Sequence, residues 1–368
     1  MTKWRSNLTS WRWWLGLRSK EVLAEPPQMS VTVIVPAFNE AKHIAATVQS
    51  LQHQTYLIKE IIVVDDCSTD NTGEIARSLG VTVIRTPMNK GSKAQAQGFG
   101  LDLVKTELFV TVDADTILAS NAIYEAMRFF NDNNTEVVCG TVVPQRLNTA
   151  WELGRLVEYL YAQAIMKPAQ DQHGLVLVAS GCFSIFRTKT VKELGGFDER
   201  TMAEDMDLTW QIHENGGRVY FATKAVCYPV DPPNRRIYCA QMDRWYRGFI
   251  QNMKVRNYKP FPRKWSMRTM VYIYLVWFAI SALITPLFLY AITTNILMTL
   301  LWMLIMNSVL VWLPALVVGK KLGVPVLKIV YGFLPYLILP YINMFIYARS
   351  LWKEIVVNEK LVVWQKGH

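Results

Sequence analysis

With 368 residues, 51% of them hydrophobic, and a formal net charge of +10, the chain is long enough for one large core and a lipid-facing part besides. The charge does not point to nucleic acid. Between Arg235 and Arg268 lie ten lysines and arginines and one acid, Asp243, a net of +9 directly before strongly apolar sequence, and basic residues so placed mark the cytoplasmic side of a membrane span.

The N-terminal segment spaces Trp4, Leu8, Trp11 and Leu15 as a helix would, with Lys3, Arg5, Arg12, Arg18 and Lys20 around them. Its apolar run is too short to cross a bilayer, so an interfacial amphipathic helix is expected, against a plain basic tail. From Val31 the pattern is strand, helix, strand, helix. Val31–Val35 reads as a buried strand and Ile44, Val48 and Leu51 as a helical stripe. Ile61–Val64 is the next strand, followed by a helix capped at Asp70 or Asn71 and ending at Gly80. Val81–Ile84 and Leu108–Val112 continue the series, which predicts parallel strands buried on both faces with ligand groups at their carboxyl ends. Two runs near residues 270–292 and 296–318 have the length of membrane spans; a third, about 329–347, contains Pro335 and Pro340 and reads as a crossing or a broken segment.

The first turn, Pro36 to Glu40, has no glycine, and Lys90-Gly91-Ser92-Lys93 does not fit GxxxxGK[ST]. A dinucleotide enzyme and a Walker-type ATPase are disfavoured. The five cysteines form no CxxC pair and read as reduced thiols. Asp113 and Asp115 follow an apolar strand in an Asp-x-Asp turn, where two carboxylates plus substrate phosphates can hold a hard cation. Asp65 and Asp66 end another strand; each could accept a bond from a base N–H or cap the helix that follows. Glu204, Asp205 and Asp207 open a helical pattern whose dipole they favour. Gly195-Gly196 either lets backbone approach a ligand or stops a helix after Leu194. Trp245 suits a sugar face, or an interfacial anchor beside Tyr246 and Phe249.

Val31 to Glu40, Val63 to Asp70, Asp113-Ala-Asp115, Gly181 to Arg187, Gly195 to Asp198, Ala203-Glu-Asp205 and Gln241-x-x-Arg244-Trp245 together resemble the processive family-2 glycosyltransferases, the group of the cellulose, chitin, hyaluronan and poly-N-acetylglucosamine synthases. The resemblance covers about residues 30 to 255. It implies an α/β, Rossmann-like GT-A fold, a UDP-sugar donor, Mg²⁺ or Mn²⁺, and inversion at the anomeric carbon. By that likeness Asp66 contacts uracil, Lys93 approaches the diphosphate, and Asp113 and Asp115 hold metal and nucleotide. Asp205 is the general base with Glu204 in support, while Asp207 is structural. Pro36 and Glu40 belong to the donor side, Gly181 and Cys182 to the acceptor side. Gln241, Arg244 and Trp245 line the place where acceptor meets donor. The tail Trp364-Gln-Lys366 weakly resembles the basic-aromatic ends of poly-N-acetylglucosamine synthases.

The expected organisation is therefore an interfacial segment (1–27), a cytosolic catalytic domain (28–258) and a membrane region (259–368) with two or three C-terminal transmembrane helices, in a multi-pass protein of the inner membrane. Its expected product is a β-linked polysaccharide made from UDP-GlcNAc or UDP-Glc on a growing glycan or lipid-linked acceptor, with a homo-oligomer open and no nucleic acid. Transfer of one sugar to a polyprenyl-phosphate carrier is the rival enzyme. A non-catalytic membrane scaffold or transporter is the rival of another class, and it leaves the ordered acids unexplained.

Overall fold

A computed structural model describes residues 24–89, 91–172, 174–257, 291, 293–298 and 308–359. The N-terminal amphipathic stretch, nearly all of the first expected span, much of the second and the Trp364–Lys366 tail lie outside the described residues.

The chain opens with strand β1 (Val31–Ala37), helix α1 (Ile44–Gln52), β2 (Glu60–Asp65), α2 (Thr72–Ser78), β3 (Thr82–Arg85), α3 (Lys93–Leu103) and β4 (Leu108–Val112). Every residue of β1 and β4 is buried. Side chains alternate across a strand, so burial on both faces needs apolar layers above and below. Val31, Val33 and Val35 of β1 enter one core cluster with Val110 and Val112; Ile34 enters the other with Phe109. β1 pairs in parallel with β2 and β4, and β2 with β3. The carboxyl ends of β1, β2 and β4 thus come out on one edge.

The second half departs from that regular pattern. β5 (Ile117–Leu118), α4 (Ala122–Met127), β6 (Thr135–Val142), α5 (Ala150–Tyr161), α6 (Lys167–Asp171), β7 (Phe183–Arg187), α7 (Thr188–Glu193), α8 (Glu204–Glu214) and β8 (Arg218–Tyr228) complete an eight-stranded sheet ordered β3-β2-β1-β4-β7-β6-β8-β5. β7 runs antiparallel to β4, with Val112 opposite Phe183. Because β7 starts where β4 ends, Gly181 and Cys182 arrive beside Asp113. The sheet is therefore mixed: parallel through β4, as the strand–helix repeat predicts, and antiparallel where β7 joins it.

Helix α9 (Arg235–Val255) carries the Gln241–Trp245 motif, with Asn234 capping it through a 3.1 Å bond from the Ile237 N–H. After it come α10 (Leu313–Lys321) and α11 (Val326–Leu351). Val311 and Ala315, in the described end of the second expected span, pack with Leu156 and Leu160 of α5. α11 passes through Pro335 and Pro340 as one helix. Each proline lacks an N–H, so the carbonyls of Tyr331 and Tyr336 lose their intrahelical donors, yet packing keeps the helix continuous. At the α5 crossing a Cβ on Gly332 would stand 2.4 Å from the Leu153 carbonyl oxygen, so the backbones approach as only glycine permits. Among the described residues one helical stretch, Val326–Val356, is long and apolar enough to cross a bilayer.

Candidate active site

Five of the expected residues meet at the carboxyl edge of the sheet. Lys93 is the first residue of α3 and Asp113 the first after β4; Glu204 and Asp205 begin α8, and Gly181 precedes β7. The Lys93 ammonium contacts the Asp113 carboxylate and lies 3.7 Å from Glu204 Oε1. Burial opposes its charge, but Asp113, Glu204 and Asp205 outweigh that and hold its pKa above the ordinary lysine value. The Glu204 carboxyl is pushed up, chiefly by burial and further by Asp205, while Lys93 and Arg244 pull it down. The field of Arg244, one turn past Gln241 on α9, thus reaches the same cluster.

Both Asp205 carboxylate oxygens are held by backbone. Oδ2 accepts from the Gly181 N–H at 2.9 Å and Oδ1 from the Met206 N–H at 2.7 Å. Gly181 can stand so close only without a side chain: a Cβ there would meet Lys93 Nζ at 2.7 Å and Asp205 Oδ2 at 3.5 Å. Cys182, next in the chain, places its Sγ 3.8 Å from that of Cys227.

A second group of residues lies along the ends of β1 and β2. Asp66 is 7% exposed and accepts from the Thr86 hydroxyl at 2.8 Å. Burial raises its pKa, the Thr86 bond lowers it and Asp65 raises it again, with a net upward shift. The two aspartates part here. Asp65 is fully buried, binds Arg85 Nη1 at 2.7 Å and accepts from the Ser68 N–H at 2.9 Å. It holds the turn, and leaves Asp66 as the carboxylate of the pair with a residual opening. Asn39 and Cys67 both take left-handed backbone, at φ 54° and 58°, where non-glycine residues are uncommon. Asn39 Oδ1 accepts from the Thr69 N–H at 2.8 Å, binding the two loops together. Pro36 is buried within β1, and the Glu40 N–H donates to Thr72 Oγ1 at 2.7 Å. Asp115 sits in the turn closed by the Thr116 N–H to the Asp113 carbonyl, 3.0 Å.

Among the described residues no three His, Cys, Asp or Glu side chains converge as a complete metal cage. The donor set that is present, Asp113 and Asp115 in one turn, fits a hard cation taking its remaining ligands from a diphosphate and water, the usual manner of Mg²⁺.

Three further placements bear on residues singled out in the sequence. Gly195 and Gly196 both have positive φ, and the Gly196 N–H bonds the Val191 carbonyl at 2.9 Å: they stop α7. Asp207 is fully buried between Arg200, which binds it through two bonds of 2.8 and 3.0 Å, and Arg256 at 2.7 Å. Trp245 is half-buried in α9, with the Arg155 guanidinium 4.7 Å above its ring. Arg155 was not singled out by sequence reasoning. It lies in an ordinary amphipathic helix, and beyond its neighbours Glu158 and Tyr159 its partners are more than 70 residues away.

Residues 32–195 match the family model described as glycosyl transferase family 2. The poly-beta-1,6-N-acetyl-D-glucosamine synthase of Staphylococcus aureus (strain COL) is 28% identical over 243 residues, covering 62% of this chain and 58% of that protein. The synthase of the same name from Staphylococcus epidermidis (strain ATCC 35984) is 27% identical over 238 residues, 63% of this chain and 57% of that one. The chain thus spans under two thirds of the length of these relatives. Among solved structures, the mannosyltransferase PcManGT from Pyrobaculum calidifontis, in complex with GDP-Man and Mn²⁺, has the same fold, with a TM-score of 0.61 at 20% identity over 90% of this chain and 94% of that one.

Proposed function

We propose that the chain, whose residues 32–195 match the glycosyl transferase family 2 model and whose fold is shared with a mannosyltransferase, is a glycosyltransferase that extends a β-linked polysaccharide from a UDP-sugar, UDP-GlcNAc ahead of UDP-Glc, with inversion at the anomeric carbon. The observation that carries this reading is the convergence of Lys93, Asp113, Gly181, Glu204 and Asp205 on one sheet edge, with the field of Arg244 reaching Glu204. The relatives named as poly-beta-1,6-N-acetyl-D-glucosamine synthases support the choice of sugar.

In this reading the donor base lies against Asp66 and the loops after β1 and β2, including Pro36 and Glu40. The diphosphate lies toward Lys93 and Arg244. An acceptor hydroxyl approaches from the side of Gly181, Cys182 and Trp245. Asp205, oriented by the Gly181 and Met206 N–H groups, takes the hydroxyl proton as the oxygen attacks the anomeric carbon. The bond to UDP breaks and its electron pair passes to the diphosphate. Negative charge grows there as the bond lengthens, so Lys93 and Arg244 bind the leaving group more tightly in the transition state than before it. Asp113 and Asp115 would hold Mg²⁺ or Mn²⁺, which neutralises diphosphate charge when bound. Glu204 balances the Lys93 ammonium and keeps it aimed. Gln241 and Trp245 line the acceptor end, the Trp245 ring offering a pyranose an apolar face.

The same reading puts the protein at the inner membrane, active site in the cytosol, beside the net charge of +9 between Arg235 and Arg268. α11 lies in the membrane plane. The inner face of the continuous helical stretch Val326–Val356 meets α9 through an apolar cluster of Leu339, Ile346, Tyr238 and Met242 and through polar pairs, Ser350 donating to Asp243 at 2.8 Å and Arg247 paired with Glu354 at 2.8 Å. Its outer face exposes Leu327, Tyr331, Leu334, Ile338, Phe345 and Trp352, each at least 60% exposed. A helix of 26 residues, about 39 Å at 1.5 Å per residue, that docks one side on a polar helix and bares an apolar stripe on the other suits an interfacial position.

The test is Asp205→Asn. Transfer falls by about 10²- to 10⁴-fold, the span general-base catalysis supplies, while UDP affinity in Mn²⁺ is kept. Full activity in the variant would remove the base role.

A further inference from the structure

Between α5, the 229–234 loop, α9 and α11 lies a cluster around the buried Arg155 that the chemistry above does not use. Arg155 is 2% exposed. Its Nη1 donates to Glu158 Oε2 at 2.7 Å and stands 3.6 Å from Met242 Sδ; its Nη2 donates to the Tyr159 hydroxyl at 3.0 Å and to Gln241 Oε1 at 3.4 Å. The guanidinium plane lies over three rings, Tyr159 at 4.5 Å, Trp245 at 4.7 Å and Tyr238 at 5.6 Å. Asp231, also 2% exposed, is 3.5 Å from Arg155 Nε, and neither Nε nor Asp231 Oδ2 makes a hydrogen bond among the described residues.

The cluster continues to α11. The Asn343 side-chain N–H donates to Glu158 Oε1 at 3.1 Å, and its carbonyl accepts from the Tyr238 hydroxyl at 2.8 Å. An unbroken path of contacts therefore runs from Asn343 through Glu158 to Arg155, and from Arg155 to Gln241 and the Trp245 ring.

We propose that Arg155 is the positioning residue of the Gln241–Trp245 segment, and that Glu158 and Asn343 extend its hold to α11, so that the seating of α11 sets the orientation of Trp245. A planar guanidinium can stack on an indole and donate in its own plane at once, which a lysine ammonium cannot. The inference rests on reading Gln241 and Trp245 as the acceptor side of the site.

The experiment compares the full-length protein with Arg155→Lys and Asn343→Leu, by amide hydrogen exchange and by transfer from UDP-GlcNAc. Exchange over residues 241–246 is expected to quicken about tenfold in both variants while β1 to β4 exchange as before. Transfer is expected to drop roughly tenfold to a hundredfold with UDP affinity unchanged, the signature of misplacement rather than lost binding. Unchanged exchange over 241–246 in Arg155→Lys would overturn the proposal, as would equal quickening in the β-sheet, which marks a plain folding role. A wild-type protein that turns over no UDP-sugar would defeat the functional reading, and the exchange measurement still decides the role of Arg155.

Discussion

Lys93 stands among three carboxylates: Asp113 in contact, Glu204 at 3.7 Å, and Asp205 across the Gly181 backbone. Gly181→Ala tests how tightly that spacing matters. The new methyl would overlap the far end of a flexible lysine, so Lys93 yields and the fold is spared, while the ammonium is driven off its place. We predict a loss of roughly 10²-fold in transfer, as a 1 Å misplacement produces, with an unchanged thermal midpoint. A second residue-scale prediction concerns Asp231, whose carboxyl burial lifts from an ordinary 3.8 to about 6, with Arg155 and Tyr159 pulling it down. A carboxyl with a raised folded-state pKa binds more protons folded than unfolded between those values, so its contribution to stability falls as pH rises from about 4 to about 6. Asp231→Asn removes that slope; thermal midpoints of variant and wild type at pH 4.5 and 6.5 check it. The acids at strand ends were legible because charge after an apolar strand stands out in one dimension. Arg155 was not, because its meaning comes from Asp231, Tyr238 and Trp245, which only the fold brings to it.

At the scale of elements, β1 to β4 follow the alternation of apolar runs and turn residues closely, Leu108–Val112 to the residue. A strand buried on both faces needs nothing beyond its own composition to be recognised. The antiparallel entry of β7 was not visible, since direction is set by the connection and not by the strand's residues. For α11 the two prolines left a crossing and a broken segment both open; Leu339, Ile346 and Tyr238 share one core and keep it one helix. Gly332 is its tightest contact. Gly332→Val forces a side chain against the Leu153 carbonyl, and overpacking of this kind costs about 1–3 kcal/mol, read by chemical or thermal unfolding. Asp207→Ala is predicted to cost about 3 kcal/mol, because it removes a buried carboxylate shared by Arg200 and Arg256 and leaves Arg256 with Glu214 as its ion-pair partner.

For the whole molecule, charge and hydropathy act together. In the proposed reading, the basic window from Arg235 to Arg268 would favour anionic lipid and the exposed apolar stripe of α11 an apolar surface. The central claim, that this sheet edge builds a polymer, is tested most directly by product size. The purified full-length protein is incubated with UDP-GlcNAc and Mn²⁺, and the glycan is sized before and after digestion with a β-N-acetylglucosaminidase. The account predicts UDP release with glycans many sugars long that the enzyme degrades; a single sugar on a lipid carrier, or no UDP release, would contradict it.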